Sequence, residues 1–124
     1  MNLARVYAIA FGVVYTLVGL IGFAIAPGLA TGTLIIFPIN GLHNAAHLLV
    51  GLLGIAAFLL NRNVEYARFM AVLFAVLTVA GFAPQPLLGL IPLGGADIGL
   101  HAATALLAAA AGWLYRPQAV TRAA

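Results

Sequence analysis

Residues 41–60 have the sequence GLHNAAHLLVGLLGIAAFLL, an apolar run with two histidines near its start. A transmembrane helix needs about 20 predominantly apolar residues, so this stretch is long enough to span the hydrocarbon layer. Ionisable side chains inside such a helix are costly, and they usually face the interior of a bundle. The stretch therefore predicts a membrane helix whose histidine face is turned toward other helices.

The composition of the whole chain also indicates a membrane protein. Of the 124 residues, 65% are hydrophobic, 6% are charged and none is cysteine. The mean hydropathy is +1.19. Soluble domains carry about 25% charged residues, so this composition excludes an ordinary soluble domain, a disordered tail and a disulfide-stapled module. The lack of cysteine also excludes thiolate metal sites.

Three further apolar runs accompany residues 41–60, at about 6–26, 66–82 and 98–114. Four spans of about 20 residues leave enough chain for their connections. We therefore predict an all-α fold, an integral membrane four-helix bundle that occupies residues 1–124 as a single transmembrane domain.

The positive charges predict how the chain is oriented. A four-span chain places all five arginines on one side of the membrane: Arg5, Arg62, Arg68, Arg116 and Arg122. Because cytoplasmic loops carry an excess of positive charge, we expect both termini to be cytoplasmic in a bacterial inner membrane. The connectors 27–40 and 83–97 would then face outward. The arginines serve as topology signals here, so we expect no nucleic acid as a partner.

The second and fourth spans share a short repeat. Residues 41–49 (GLHNAAHLL) and residues 99–107 (GLHAATALL) are identical at six of nine positions. This repeat suggests two duplicated transmembrane hairpins. Two spans return the chain to the same side, so the hairpins would be parallel and related by a pseudo-twofold axis along the membrane normal. His43 and His101 would then be symmetry mates at equal depth.

Four ionisable side chains lie near the starts of these two spans. His43 and His47 are four residues apart, and Asp97 and His101 repeat that spacing. Residues four apart share one face of a helix. Three imidazoles and a carboxylate can form a tetrahedral zinc site or an N/O site for copper or iron. We therefore predict a metal site made of His43, His47, Asp97 and His101.

Other interpretations of the same residues stay open. His43 and His101 could ligate a haem iron axially, or a single histidine could hold the magnesium of a chlorophyll-type tetrapyrrole. The histidines could instead make only interhelical hydrogen bonds. Asp97 could simply be the N-cap of the fourth helix, as Asn40 could be of the second. We expect Tyr15, in the first span, to form a hydrogen bond within the core.

Residues 42–51 (LHNAAHLLVG), together with Asp97 and His101, resemble a family of small bacterial four-span membrane proteins. That family shows an H-N-x-x-H-L-L-x-G run that opens the second span and a D-x-x-x-H at the fourth. The resemblance extends over nearly the whole chain. It implies the four-span architecture and the same choice of polar residues, and it implies no particular reaction.

The function that we predict is the binding of a transition metal, or of a metal-bearing cofactor, near the outer face. The alternative is a non-catalytic accessory subunit of a larger respiratory or photosynthetic membrane complex. Its uncharged connectors would contact other membrane subunits or a second copy of the chain, beside the lipid bilayer. The sequence contains no phosphate loop, dinucleotide fingerprint or nucleophile–base pair, so it favours a protein that is not an enzyme.

Overall fold

The computed structural model describes residues 2–114 and is built from long helices with a small sheet in the first connector. In chain order the elements are α1 (Leu3–Ile25), β1 (Gly32–Leu34), β2 (Phe37–Ile39), α2 (Gly41–Leu59), α3 (Asn63–Ala80), α4 (Ala96–Ala109) and a π-helical turn (Ala110–Leu114). Strands β1 and β2 form an antiparallel hairpin. Within residues 2–114, four helices are long and apolar enough to cross a membrane, α4 being taken together with its π-helical turn. The predicted all-α transmembrane bundle is confirmed.

Helices α1 and α3 begin three residues earlier than their apolar runs, and α4 begins two residues earlier. Helix α1 begins at Leu3 because the Asn2 side-chain oxygen accepts a hydrogen bond of 2.8 Å from the Arg5 backbone N–H. Helix α3 begins at Asn63 and carries Glu65 in its first turn, where the helix dipole favours an acidic side chain. A hydropathy pattern marks the hydrocarbon layer, whereas the polar turn that caps a helix lies outside that pattern.

The bundle consists of two helical hairpins. Helix α1 packs along α2 and α3 packs along α4, whereas helices of different hairpins contact each other much less. In the first hairpin the two backbones touch, since a Cβ added to Gly54 would lie 2.8 Å from Gly12 Cα. Small residues permit this close approach between membrane helices. The pairing agrees with the two-hairpin organisation expected from the sequence.

The surface of the bundle is apolar on all four helices. The following large aliphatic side chains are more than half exposed: Leu17, Leu20, Leu59, Val76 and Leu106. The core contains larger aromatic side chains such as Tyr15, Tyr66 and Phe74. So much exposed aliphatic surface fits contact with lipid rather than with water.

The arginines of the described chain lie at one end of the bundle. Arg5 Nη1 donates a hydrogen bond of 2.7 Å to Asn61 Oδ1 in the α2–α3 turn, next to Arg62. Arg68 Nε donates one of 2.9 Å to the carbonyl of Gly112. We call this the arginine end. The other two arginines of the predicted topology, Arg116 and Arg122, lie outside the described residues.

Candidate metal centre

The opposite end, which we call the histidine end, consists of the amino ends of α2 and α4 and the two connectors, residues 26–40 and 81–95. Asn40 organises it. The Asn40 side-chain oxygen accepts a hydrogen bond of 3.0 Å from His43 N–H. Its amide nitrogen donates to the carbonyls of Leu90, at 2.6 Å, and Leu29, at 3.2 Å. Asn40 is therefore the N-cap of α2, as predicted, and it also holds both connectors in place.

Asn44 ties the same turn of α2 to α1. Its side chain is fully buried, and Nδ2 donates a hydrogen bond of 2.9 Å to the carbonyl of Ala26. A Cβ on Gly22 would collide with the Asn44 side chain, so the glycine makes room for it. In the sequence, Asn44 stood out only as part of the H-N-x-x-H-L-L-x-G run. The available signal was a polar amide inside an apolar run.

The three histidines meet in the interior of the histidine end. His43, His47 and His101 are 2%, 4% and 1% exposed. The ring centroids of His43 and His47 lie 4.3 Å apart, and those of His43 and His101 lie 6.0 Å apart. Each ring offers one nitrogen that lies within 4.8 Å of those offered by the other two. The arrangement is a histidine cluster that could hold a metal ion.

Asp97 lies beside this cluster. Its Oδ2 is 3.6 Å from His43 Nδ1, and its side chain is almost fully buried. The alternative in which Asp97 caps α4 is wrong. The N-cap is Gly95, whose φ of 61° lies in the left-handed region that favours glycine, and Asp97 is the second residue of the helix. The carboxylate can therefore orient His43 and offset the charge of an ion at the cluster.

The two polar pairs line up differently when they are compared from the start of each helix than when they are compared by the sequence repeat. His43 is the third residue of α2 and Asp97 the second of α4. His47 is the seventh and His101 the sixth. Counted from the helix starts, Asp97 lies one position earlier than His43, and His101 lies one position earlier than His47. The letter-by-letter repeat pairs His43 with His101 instead, because it does not include the caps that determine where each helix begins.

The polar atoms of the cluster lack hydrogen-bond partners among residues 2–114. Both ring nitrogens of His43, His47 and His101 are buried without a partner, and so are both carboxylate oxygens of Asp97. Buried polar groups are usually paired, and an unpaired one costs about 1–3 kcal/mol. So many unpaired nitrogen and oxygen atoms in one place fit a bound metal ion, since neutral imidazole and carboxylate are ligands of transition metals.

Aromatic rings enclose the cluster on the side of the bundle core. The ring centroid of Phe74 lies 5.3 Å from that of His101, and the ring centroid of Tyr15 lies 5.1 Å from that of His47. The Tyr15 hydroxyl shares a hydrogen bond of 2.8 Å with Thr104 Oγ1. The predicted core hydrogen bond of Tyr15 is therefore confirmed. Phe74 carried no signal in the sequence, because it is one apolar residue within an apolar run.

The connectors both cover the site and expose apolar tips. Ile39 and Leu93 are 1% and 3% exposed, so each connector contributes a buried side chain to the histidine end. Ile35 and Leu88 project outward and are 84% and 87% exposed. The connectors thus cover the histidine cluster at this end of the bundle, while their outer edge stays apolar.

The chain belongs to a family described as a domain of unknown function, DUF4383, which matches residues 5–114 and so includes all four helices. No curated protein and no solved structure matches the chain.

Proposed function

We propose that this member of the DUF4383 family binds a transition-metal ion through His43, His47 and His101, with Asp97 beside the ion. One observation carries the proposal: three buried imidazoles offer nitrogens within 4.8 Å of one another. Zinc–imidazole bonds of about 2.0–2.1 Å hold tetrahedral donors about 3.3 Å apart. The distances between the three imidazole nitrogens therefore have to shorten by about 1.5 Å at most. Rotations of the rings and small side-chain shifts can supply this change.

The donor set favours particular ions. Imidazole suits zinc, copper and iron, whereas magnesium and calcium prefer sites made only of oxygen. The three histidines bind as neutral ligands, so Asp97 supplies the one negative charge that partly offsets a divalent ion in an apolar surrounding.

A bare ion is favoured over haem or a chlorophyll-type ring. The two cavities that border the cluster have volumes of about 170 and 220 Å³. Even drug-sized ligands occupy pockets of about 300–1,000 Å³, and a tetrapyrrole is at the upper part of that range. Neither cavity offers that room beside His43 and His101.

We further propose that residues 1–124 form a single transmembrane domain in a bacterial inner membrane, with both termini cytoplasmic. The gathering of Arg5, Arg62 and Arg68 at the arginine end supports this orientation, because positive charge is retained on the cytoplasmic side. The histidine end would then face outward, where it would take up metal from outside the cytoplasm.

Elemental analysis of gently extracted protein tests the proposed function. We expect zinc, copper or iron bound in a fixed ratio to the chain, and an absorption spectrum without a Soret band. His47→Ala and His101→Ala should each lose the metal. Asn63→Ala is the matched control, since it removes another buried polar side chain but at the arginine end. Metal that persists in both histidine variants, or protein without metal, would contradict the proposal.

An accessory subunit of a larger membrane complex is the second candidate. The observation that favours it is the exposure of Ile35 and Leu88 at the tips of the connectors. Exposed apolar side chains at the end of a bundle suit contact with another membrane protein. The same purification separates the two functions. Metal-free protein in a stable larger assembly supports the second, whereas metal in the isolated chain supports the first.

A further inference from the structure

Two cavities flank the histidine cluster, and both lie in clefts between the two hairpins. The first cavity, of about 170 Å³, is lined by α2, α3 and the second connector, and His43, His47 and His101 all border it. The second cavity, of about 220 Å³, is lined by α1 and the first connector, and it is bordered by His47 and Asp97. The first cavity is thus the one that adjoins all three candidate ligands.

The first cavity is apolar apart from the imidazoles. Its remaining wall includes Leu73, Phe74 and Leu77 of α3 and Leu87 and Leu93 of the second connector. A buried water needs about two to four polar partners. Each imidazole that binds the ion through one nitrogen keeps only one N–H, and the rest of the wall is hydrocarbon, so the wall offers a water few partners. The cavity therefore favours a neutral apolar occupant.

Size and access restrict that occupant further. A dry cavity of about 150 Å³ lined by apolar side chains binds benzene or xenon. The first cavity is of similar volume, so it admits molecules from a diatomic gas up to a single aromatic ring. Ala46 borders the cavity and is exposed on the surface of α2. The cavity therefore reaches the lipid-facing surface, and small neutral molecules can enter it from the bilayer.

We propose that the first cavity is a binding site for a small neutral diatomic molecule of the class of dioxygen, carbon monoxide and nitric oxide. The molecule reaches it past Ala46 and binds at the open coordination position of the metal ion. This proposal rests on the proposed metal function. Three protein ligands leave a fourth position free, as in metal sites that bind exogenous ligands. Asp97 borders the second cavity and not the first, so its carboxylate does not occupy the position that faces the first cavity.

Nitric oxide binding to protein loaded with iron(II) tests the proposal. Elemental analysis first measures the iron content. Nitric oxide should then give the electron paramagnetic resonance signal of a non-haem iron–nitrosyl centre. Azide is an anion of similar size. It should leave the absorption spectrum of the iron unchanged, because the entry past Ala46 leads from the apolar bilayer, which an anion does not cross readily.

Two phenylalanine substitutions locate the binding site. Ala46→Phe enlarges the side chain at the entrance of the first cavity, and Val14→Phe enlarges an exposed side chain at the second cavity. The affinity for nitric oxide should fall about tenfold or more in Ala46→Phe and stay within about twofold in Val14→Phe. Helical circular dichroism and iron content report whether each variant folds. Leu73→Trp is a second way to fill the first cavity if Ala46→Phe does not fold.

The outcomes separate this proposal from the metal function. If no transition metal binds, the metal function fails and this proposal fails with it. If zinc or copper binds but iron(II) does not, the metal function stands and this proposal is overturned. If iron binds without a nitrosyl signal, the metal function stands and the cavity proposal is overturned. Equal nitric oxide affinity in the two phenylalanine variants, or binding of azide as readily as nitric oxide, overturns it as well.

Discussion

Asp97 has a buried carboxylate with no hydrogen bond in the described part of the chain, 3.6 Å from His43 Nδ1. Removing an acidic group from water without a partner is among the costlier arrangements that a protein can contain. It becomes favourable when a cation lies close by. In the proposed centre the ion provides that compensation, and Asp97 in turn orients the ring of His43.

Asp97→Asn should therefore weaken metal binding about 10- to 100-fold, because the amide keeps the shape of the side chain and loses its charge. Competition with a chromophoric chelator measures the dissociation constant. Glu65→Gln is the matched control, since Glu65 is an exposed acid at the arginine end, paired with Arg62 at 3.0 Å. Unchanged affinity in Asp97→Asn, or an equal loss in Glu65→Gln, would contradict a role of Asp97 at the ion.

The pairing of α1 with α2 depends on glycines more than on large apolar side chains. Lipid chains are as apolar as leucine, so packing of backbones at close range stabilises membrane helix pairs. At Gly54 a Cβ would lie 2.8 Å from Gly12 Cα and 2.7 Å from Tyr66 Oη. Tyr66 Oη in turn donates a hydrogen bond of 2.8 Å to the carbonyl of Val50. The glycine therefore serves both the α1–α2 contact and the position of α3.

Gly54→Ala should lower the free energy of unfolding by about 1–3 kcal/mol, because the added methyl overpacks this contact. Denaturation in detergent, followed by circular dichroism, measures the change. Gly99→Ala is the control, since no atom lies within 4 Å of a Cβ placed there. It should be neutral or stabilising by up to about 1 kcal/mol through helix propensity. Similar losses in both variants would indicate that the effect does not come from the close contact.

At the scale of the whole molecule, the histidine cluster bridges two weakly connected units. His43 and His47 belong to α2 of the first hairpin, and His101 belongs to α4 of the second. The hairpins contact each other much less than the helices within each hairpin do. An ion held by all three histidines therefore links the hairpins at the histidine end.

Metal should consequently stabilise the folded bundle, by about 2.7 kcal/mol at a free metal concentration of about 100 times Kd. Thermal unfolding in detergent with and without a chelator measures this shift. His101→Ala should remove the dependence on metal, because only α2 would still contribute histidines. Unfolding of the native sequence that does not respond to metal would contradict the link between the hairpins.

Much of the fold was predictable because the bilayer imposes a local requirement. A span needs about 20 apolar residues, so hydropathy determined the four helices to within a few residues. The helical period then placed His43 with His47 on one face of α2, and Asp97 with His101 on one face of α4. Asn40 could also be identified as a possible N-cap, because a cap is recognised from its own residue type and the helix that directly follows it.

Only the tertiary structure decided that these two faces meet. The rotation and relative register of α2 and α4 depend on the caps and on close contacts such as Gly12 with Gly54, which join residues far apart in the chain. The same packing leaves Asp97 beside the histidines and opens an apolar cavity against them. A local pattern specifies which side chains share a helix face, but the distance between two faces follows from packing, and packing depends on all the residues in contact.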